Sequence, residues 1–220
     1  MDVRNGLEAV DGDVVMQPTI EFIFDFASPN AYLAYRALPP ILERTGARLE
    51  INPCLLGGIF KATGNTAPAI AFGPIKGKWE YEKLELRRFV AKHKLSNFKL
   101  NPHFPVNSLM LMRAFIAARE AGQGPAFLEM GLKAMWEDGL KLDDPEVLRA
   151  AIEAAGLDSA RLIAAAQTDA VKQALADNTA KAVERGVFGV PTFFVGAEMF
   201  FGKERLGQVE EAVEAAKAAA

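Results

Sequence analysis

The chain has 220 residues and a mass of 23.8 kDa, a length for one domain with room for a large insertion. Half of its residues are hydrophobic and 24% are charged, which is enough apolar material for a buried core and excludes disorder throughout. A formal charge of −3 and a pI near 5.6 give no basic field for a phosphate backbone, so nucleic acid is disfavoured as a partner.

A single cysteine, Cys54, supports neither an internal disulfide framework nor a CxxC pair, and a reducing cytoplasm fits it best. Residues 1–18 are polar and acidic and read as a mobile tail. The apolar run from Ile20 to Phe26 is broken by Glu21 and Asp25, so it makes neither a secretory core nor a membrane span. No membrane partner is expected.

Thr19 to Phe26 alternates, with apolar Ile20, Phe22, Phe24 and Phe26 and with Ile23 apolar as well, which predicts a central strand buried on most of both faces. A break at Ala27-Ser28-Pro29-Asn30 leads into a predicted helix from Ala31 to Thr45, closed by Gly46, and Arg48 to Cys54 follows as a second strand. From Leu55 short connections rich in Gly and Pro lead to helical periodicity at Trp79 to Lys92, Asn107 to Ala121 and Pro125 to Asp138. Asp143-Asp144-Pro145 caps a helix to Ala155, and Asp158-Ser159 and Thr168-Asp169 start two more. After Gly186 the strand signal returns at Thr192 to Val195 and Met199 to Phe201, joined by Gly196-Ala197, and a last helix runs from about Arg205. The order β-α-β, helical block, β-β-α implies one mixed sheet with a helical domain inserted in its middle connection. The division predicted is a tail at 1–18, a sheet domain from 19–60 with 187–220, and a helical insert at 61–186.

Two local features carry chemistry. Ser28 stands where a helix N-cap belongs, with Pro29 at the first helical position, so the helix start offers free N–H groups and a positive dipole end to an anion such as a thiolate. Gly189-Val190-Pro191-Thr192 opens the returning strand, where a cis Val190-Pro191 bond would free the Val190 backbone to pair with an extended peptide. There is no GxGxxG or Walker loop, and no metal site is expected.

Taken together, Phe24-Asp25-Phe26-Ala27-Ser28-Pro29-Asn30-Ala31-Tyr32, Gly64-Asn65, Phe188-Gly189-Val190-Pro191-Thr192 and Phe201-Gly202-Lys203-Glu204-Arg205-Leu206 resemble the 2-hydroxychromene-2-carboxylate isomerases and their relatives, the kappa-class glutathione transferases. The resemblance spans about residues 19 to 215 and implies an α/β thioredoxin-like fold of the DsbA type with a large all-helical insertion. It also implies glutathione as cofactor, with Ser28 as the catalytic hydrogen-bond donor to the thiol sulfur and Ala31 in the place of a second redox cysteine. Asn65, Val190 and Pro191 would hold the tripeptide, and Gly202, Lys203, Glu204 and Arg205 its γ-glutamyl end. Glu204 stands where family members usually carry Asp; a carboxylate is kept, with one more methylene.

Lys61 and Asn107 are the residues expected beside a small aromatic carboxylate substrate, although Asn107 already has a reason to be there as a helix cap. The implied reaction is reversible thiolate addition, rotation about the resulting single bond, ring opening and loss of glutathione unchanged. A transferase that retains the adduct and a binding module without chemistry remain alternatives at this point, and a homodimer is the expected assembly. Cys54 reads as buried and inert, and His93 and His103 as surface or loop residues, not bases for Ser28.

Overall fold

The computed structural model describes residues 17–219. Most of the expected tail at 1–18 therefore lies outside the described residues. Four strands form one sheet in the order β2-β1-β3-β4. β1 (Thr19–Phe24) pairs in parallel with β2 (Arg48–Pro53) and antiparallel with β3 (Thr192–Val195), which carries β4 (Glu198–Phe201) on its other side.

The segment expected as one helix after β1 is two. α1 (Pro29–Ala37) stops at Leu38, and α2 (Pro39–Thr45) starts at once. Pro39 and Pro40 supply no N–H, and their rings clash with the preceding turn, so an unbroken helix cannot pass through them.

The connections after β2 also hold more helix than their glycines predict. α3 (Leu56–Thr63) contains Gly57 and Gly58 in its first turn, and α4 (Pro68–Phe72) follows. Each glycine costs a helix about 1 kcal/mol relative to alanine, but α3 buries Ile59 completely, so packing overrides propensity there.

α5 (Lys78–Lys92), α6 (Leu109–Glu120), α7 (Gly124–Trp136), α8 (Pro145–Ala154), α9 (Ser159–Ala166) and α10 (Asp169–Glu184) complete the stretch between the two halves of the sheet. Asp144, Asp158 and Thr168 accept from amides of the first turns of α8, α9 and α10, as their sequence positions predict. α6 starts two residues later than expected because the Asn107 side chain accepts from the Leu109 amide ahead of the first turn. After β4 a 3-10 turn at Lys203–Arg205 leads into α11 (Leu206–Ala218).

The sheet is covered on both faces. Phe22, Phe24 and Phe193 enter the larger core, which continues into the helices, while Ile23, Cys54, Ile59, Val190 and Phe194 form a second core on the opposite face. Phe22 stacks on Phe193 with ring centroids 4.8 Å apart, and Phe26 makes edge contacts with Phe115 and Phe127. Gly131 on α7 permits that packing: a Cβ there would lie 2.5 Å from the Phe26 ring. Among the described residues no helix is long and apolar enough to cross a membrane.

Candidate functional site

The site begins where β1 ends. Asp25 to Ser28 form a turn, closed by the Ser28 amide on the Asp25 carbonyl at 3.2 Å, and α1 starts immediately after it. Ser28 has extended backbone angles, and its Oγ accepts from the Ala31 amide at 3.2 Å, which makes it the N-cap that the sequence predicts. The same hydroxyl donates to the Val190 carbonyl at 3.2 Å. Ser28 is nearly closed to solvent, at 4% exposure.

The opposite wall is the segment from Phe188 to Thr192, whose Val190–Pro191 bond is cis. All four carbonyls from Phe188 to Pro191 are engaged: by Asn65 Nδ2 at 2.8 Å, by Thr192 Oγ1 at 2.7 Å, by Ser28 Oγ, and by the Gly202 amide at 2.9 Å. The expectation that both backbone groups of Val190 are free is therefore half right. Its carbonyl is occupied by Ser28, because the cap hydroxyl retains a proton that needs an acceptor once its lone pair has taken Ala31. No acceptor among the described residues takes the Val190 N–H.

Asn65 thus stands beside the cis-proline segment, where its amide braces Phe188, whose ring packs on that of Phe201 with centroids 4.5 Å apart. Gly189 allows that approach, since a Cβ there would meet the Phe201 ring at 2.9 Å. Gly202 has φ +99° and joins β4 to the 3-10 turn. Lys203 is buried against Phe89 and forms an ion pair with Glu204, so the carboxylate predicted for an ammonium ligand already has a cation beside it. Arg205 is exposed. Lys203 and Glu204 line a cavity of about 460 Å³ with Phe89 and His93.

Lys61 is exposed in the last turn of α3, and Asn107 is exposed ahead of α6, bonded to its own helix start. Neither hydrogen-bonds to the Ser28 turn. His93 packs on Phe89 at the end of α5, and burial lowers its pKa, as does neighbouring Lys92. The Ser28 hydroxyl has no histidine partner among the described residues. Cys54 is fully buried, its thiol directed to the Asn178 carbonyl at 3.4 Å, and burial pushes its pKa up to about 12.

Three supports of the turn escaped the sequence reading. The Asp25 carboxylate accepts from the Ala27 amide at 2.8 Å and the Leu56 amide at 2.7 Å. Trp136 Nε1 donates to the Phe26 carbonyl at 2.9 Å. The available signal was an aspartate set among phenylalanines in a strand with no polar face to hold it.

Residues 19–214 match the DsbA-like thioredoxin domain. The 2-hydroxychromene-2-carboxylate isomerase of Sphingobium xenophagum is 31% identical over 195 residues, covering 89% of this chain and 97% of that protein. The chain belongs to this family. Kappa 1 glutathione S-transferase of Rattus norvegicus is 28% identical over 203 residues, covering 85% of this chain and 87% of the transferase. A solved structure of 2-hydroxychromene-2-carboxylate isomerase superposes with a TM-score of 0.75 at 30% identity, covering 90% of this chain and 95% of the other. Fold and family thus agree with the resemblance drawn from the motifs, and the relatives' names favour an enzyme of isomerase or glutathione-transferase kind.

Proposed function

We propose that this protein is a glutathione-dependent isomerase of a 2-hydroxychromene-2-carboxylate or a related aromatic carboxylate. The observation that carries the proposal is the hydroxyl of Ser28, placed at a helix N-terminus and facing the cis-proline segment, with no histidine or carboxylate bonded to it among the described residues. Such a hydroxyl is a donor and not a nucleophile, because serine chemistry needs a positioned base to take its proton.

The residues suit a thiol tripeptide. The Val190 N–H has no acceptor in the described structure, the Asn65 amide stands beside it, and Glu204 with Lys203 offers paired charges of the kind an α-amino-carboxylate end can exchange with. Glutathione bound there would supply a thiolate for reversible addition to the substrate's conjugated double bond; the ring C–O bond would open with the hemiketal hydroxyl proton passing to the phenol oxygen, and glutathione would be regained unchanged.

Ser28 holds its proton at Oγ throughout and turns it from the Val190 carbonyl to the sulfur. The first amides of α1 add the positive end of the helix. A free thiol of this kind titrates near 8.5, and about 1.4 kcal/mol of preferential binding to the anion lowers that by one unit. One charge-assisted hydrogen bond is of that size. Release of the thiolate at the end of the cycle asks for no acid, which fits a site whose hydroxyl lacks a histidine.

Incubation of the chromene carboxylate with substoichiometric glutathione tests the reading. The isomerase forms product well beyond the glutathione supplied. Consumption of one glutathione per substrate would make the protein a transferase that keeps the adduct, and glutathione-independent turnover would reject the cofactor.

A further inference from the structure

Asp25 is fully buried, yet it carries no part of the chemistry assigned above. Its two carboxylate oxygens take donors from different parts of the chain. Oδ1 accepts from Ala27 inside the turn, and Oδ2 accepts from Leu56 at the first residue of α3. The N-cap residue of α3 supplies no side-chain bond of its own, so Asp25 serves the start of that helix from a distance. The N-terminal ends of α1 and α3 therefore meet at one turn, and the Asp25 carboxyl group faces the positive end of α3.

We propose that Asp25 is the positioning residue of the site: by fixing the turn from Asp25 to Ser28 against α3, it aims the Ser28 hydroxyl at Val190 and at an incoming sulfur. The catalytic consequence rests on the glutathione reading of Ser28; the positioning does not. Two features give the proposal its geometry. The Ser28 amide is bonded to the Asp25 main chain while the Ala27 amide is bonded to its side chain, so two of the three amides between the carboxylate and the hydroxyl are tied to Asp25. Burial favours the neutral acid and raises the pKa, whereas the amides of Leu56 and Ala27 and the Ser108 side chain favour the anion. In Asp25→Asn the shape is kept, but one acceptor becomes a donor facing another N–H.

Hydrogen exchange at the Ala31 amide, which is shared between Ser28 Oγ and the Ser28 carbonyl, reads the turn in protein without glutathione. Asp25→Asn should accelerate that exchange by about tenfold or more, the scale of one hydrogen bond to a charged group. An unchanged rate in the folded variant overturns the proposal. If Asp25→Asn does not fold, Asp25→Ser takes its place: its shorter hydroxyl can hold at most one of the Ala27 and Leu56 amides, the exchange should again accelerate, and no change overturns the proposal.

The second arm is a cycle of Ser28→Ala, Asp25→Asn and the double variant, read as glutathione-dependent rate. A double variant no slower than the slower single supports action through Ser28, and multiplied effects overturn it. Failure of the glutathione reading is visible separately, as absence of any glutathione-dependent rate in the unaltered protein, and the Ala31 exchange then decides the positioning alone.

Discussion

The Ser28 hydroxyl donates to the Val190 carbonyl at 3.2 Å, joining positions 162 residues apart in the chain. One proton therefore links the helix cap to the cis-proline segment, and in the proposed glutathione reading a thiol entering between them would compete for it. Ser28→Ala removes that proton. If the hydroxyl stabilises the thiolate, the variant loses a bond worth about 1.5 to 3 kcal/mol. The rate near neutral pH falls by about 10-fold to 150-fold and partly recovers as pH rises, because more of the thiol then ionises unaided. A pH–rate profile of both proteins checks this.

Asn65→Ala should weaken glutathione binding without abolishing it. The amide braces the Phe188 carbonyl at 2.8 Å, so its loss frees one end of the cis-proline segment as well as removing a ligand contact. A neutral hydrogen bond of this kind is worth about 0.5 to 1.5 kcal/mol. Calorimetry should show affinity lower by about 2-fold to 12-fold, with the melting temperature little changed.

The protein should not act as a dithiol oxidoreductase. Ala31 supplies no resolving thiol beside Ser28, and the only cysteine in the chain, Cys54, is buried at the end of β2. Insulin reduction by the unaltered protein should stay at background. Ser28→Cys places a thiol at a helix N-terminus, which should form a mixed disulfide with oxidised glutathione and show weak exchange activity while isomerisation falls. Mass spectrometry of the variant after exposure to oxidised glutathione reads the adduct directly.

Cys54 itself supplies a pH prediction. Its thiol, ordinarily near 9.0, is pushed up to about 12 by burial first and by the nearby Asp25 and Glu21 carboxylates next. The folded state therefore binds this proton more tightly than the unfolded chain. Its contribution to stability is fully present below about pH 9 and is lost as pH rises toward 12. Native protein at neutral pH should resist alkylation at Cys54, and unfolded protein should react at once. Cys54→Ala should flatten the alkaline loss of stability.

Gly131→Ala tests the packing that carries the turn. The added Cβ would fall 2.5 Å from the Phe26 ring, and Phe26 is the residue whose carbonyl holds Trp136 Nε1. Overpacking of this sort costs about 1 to 3 kcal/mol, measurable as a shift of the denaturation midpoint.

Much of the fold was legible because local signals and packing agree. Thr19 to Phe24 alternates where the sheet is buried on both faces, and Asp144, Asp158 and Thr168 cap the helices they precede. Ser28, Asn65 and Val190 were legible as a set through motif order, and the structure joins Ser28 to Val190 and Asn65 to Phe188 by direct bonds. What escaped was tertiary. α3 was hidden by Gly57 and Gly58, whose poor propensity is overridden by burial of Ile59 and by a cap supplied from Asp25, 31 residues away. The occupied carbonyl of Val190 was hidden for the same reason: its partner is remote in sequence. The contacts of Lys203 are tertiary as well as local: its ammonium lies 5.4 Å from the centre of the Phe89 ring and pairs with Glu204.

The most direct measurement is an ultraviolet titration of the thiol of glutathione bound to the unaltered protein and to Ser28→Ala. The hydroxyl-donor account predicts a bound thiol ionising below the free value of about 8.5 in the unaltered protein and rising by roughly one to two units in the variant. A thiol that titrates at the same pH in both proteins, while Ser28→Ala abolishes turnover at every pH, would contradict it and require a covalent role for the serine instead.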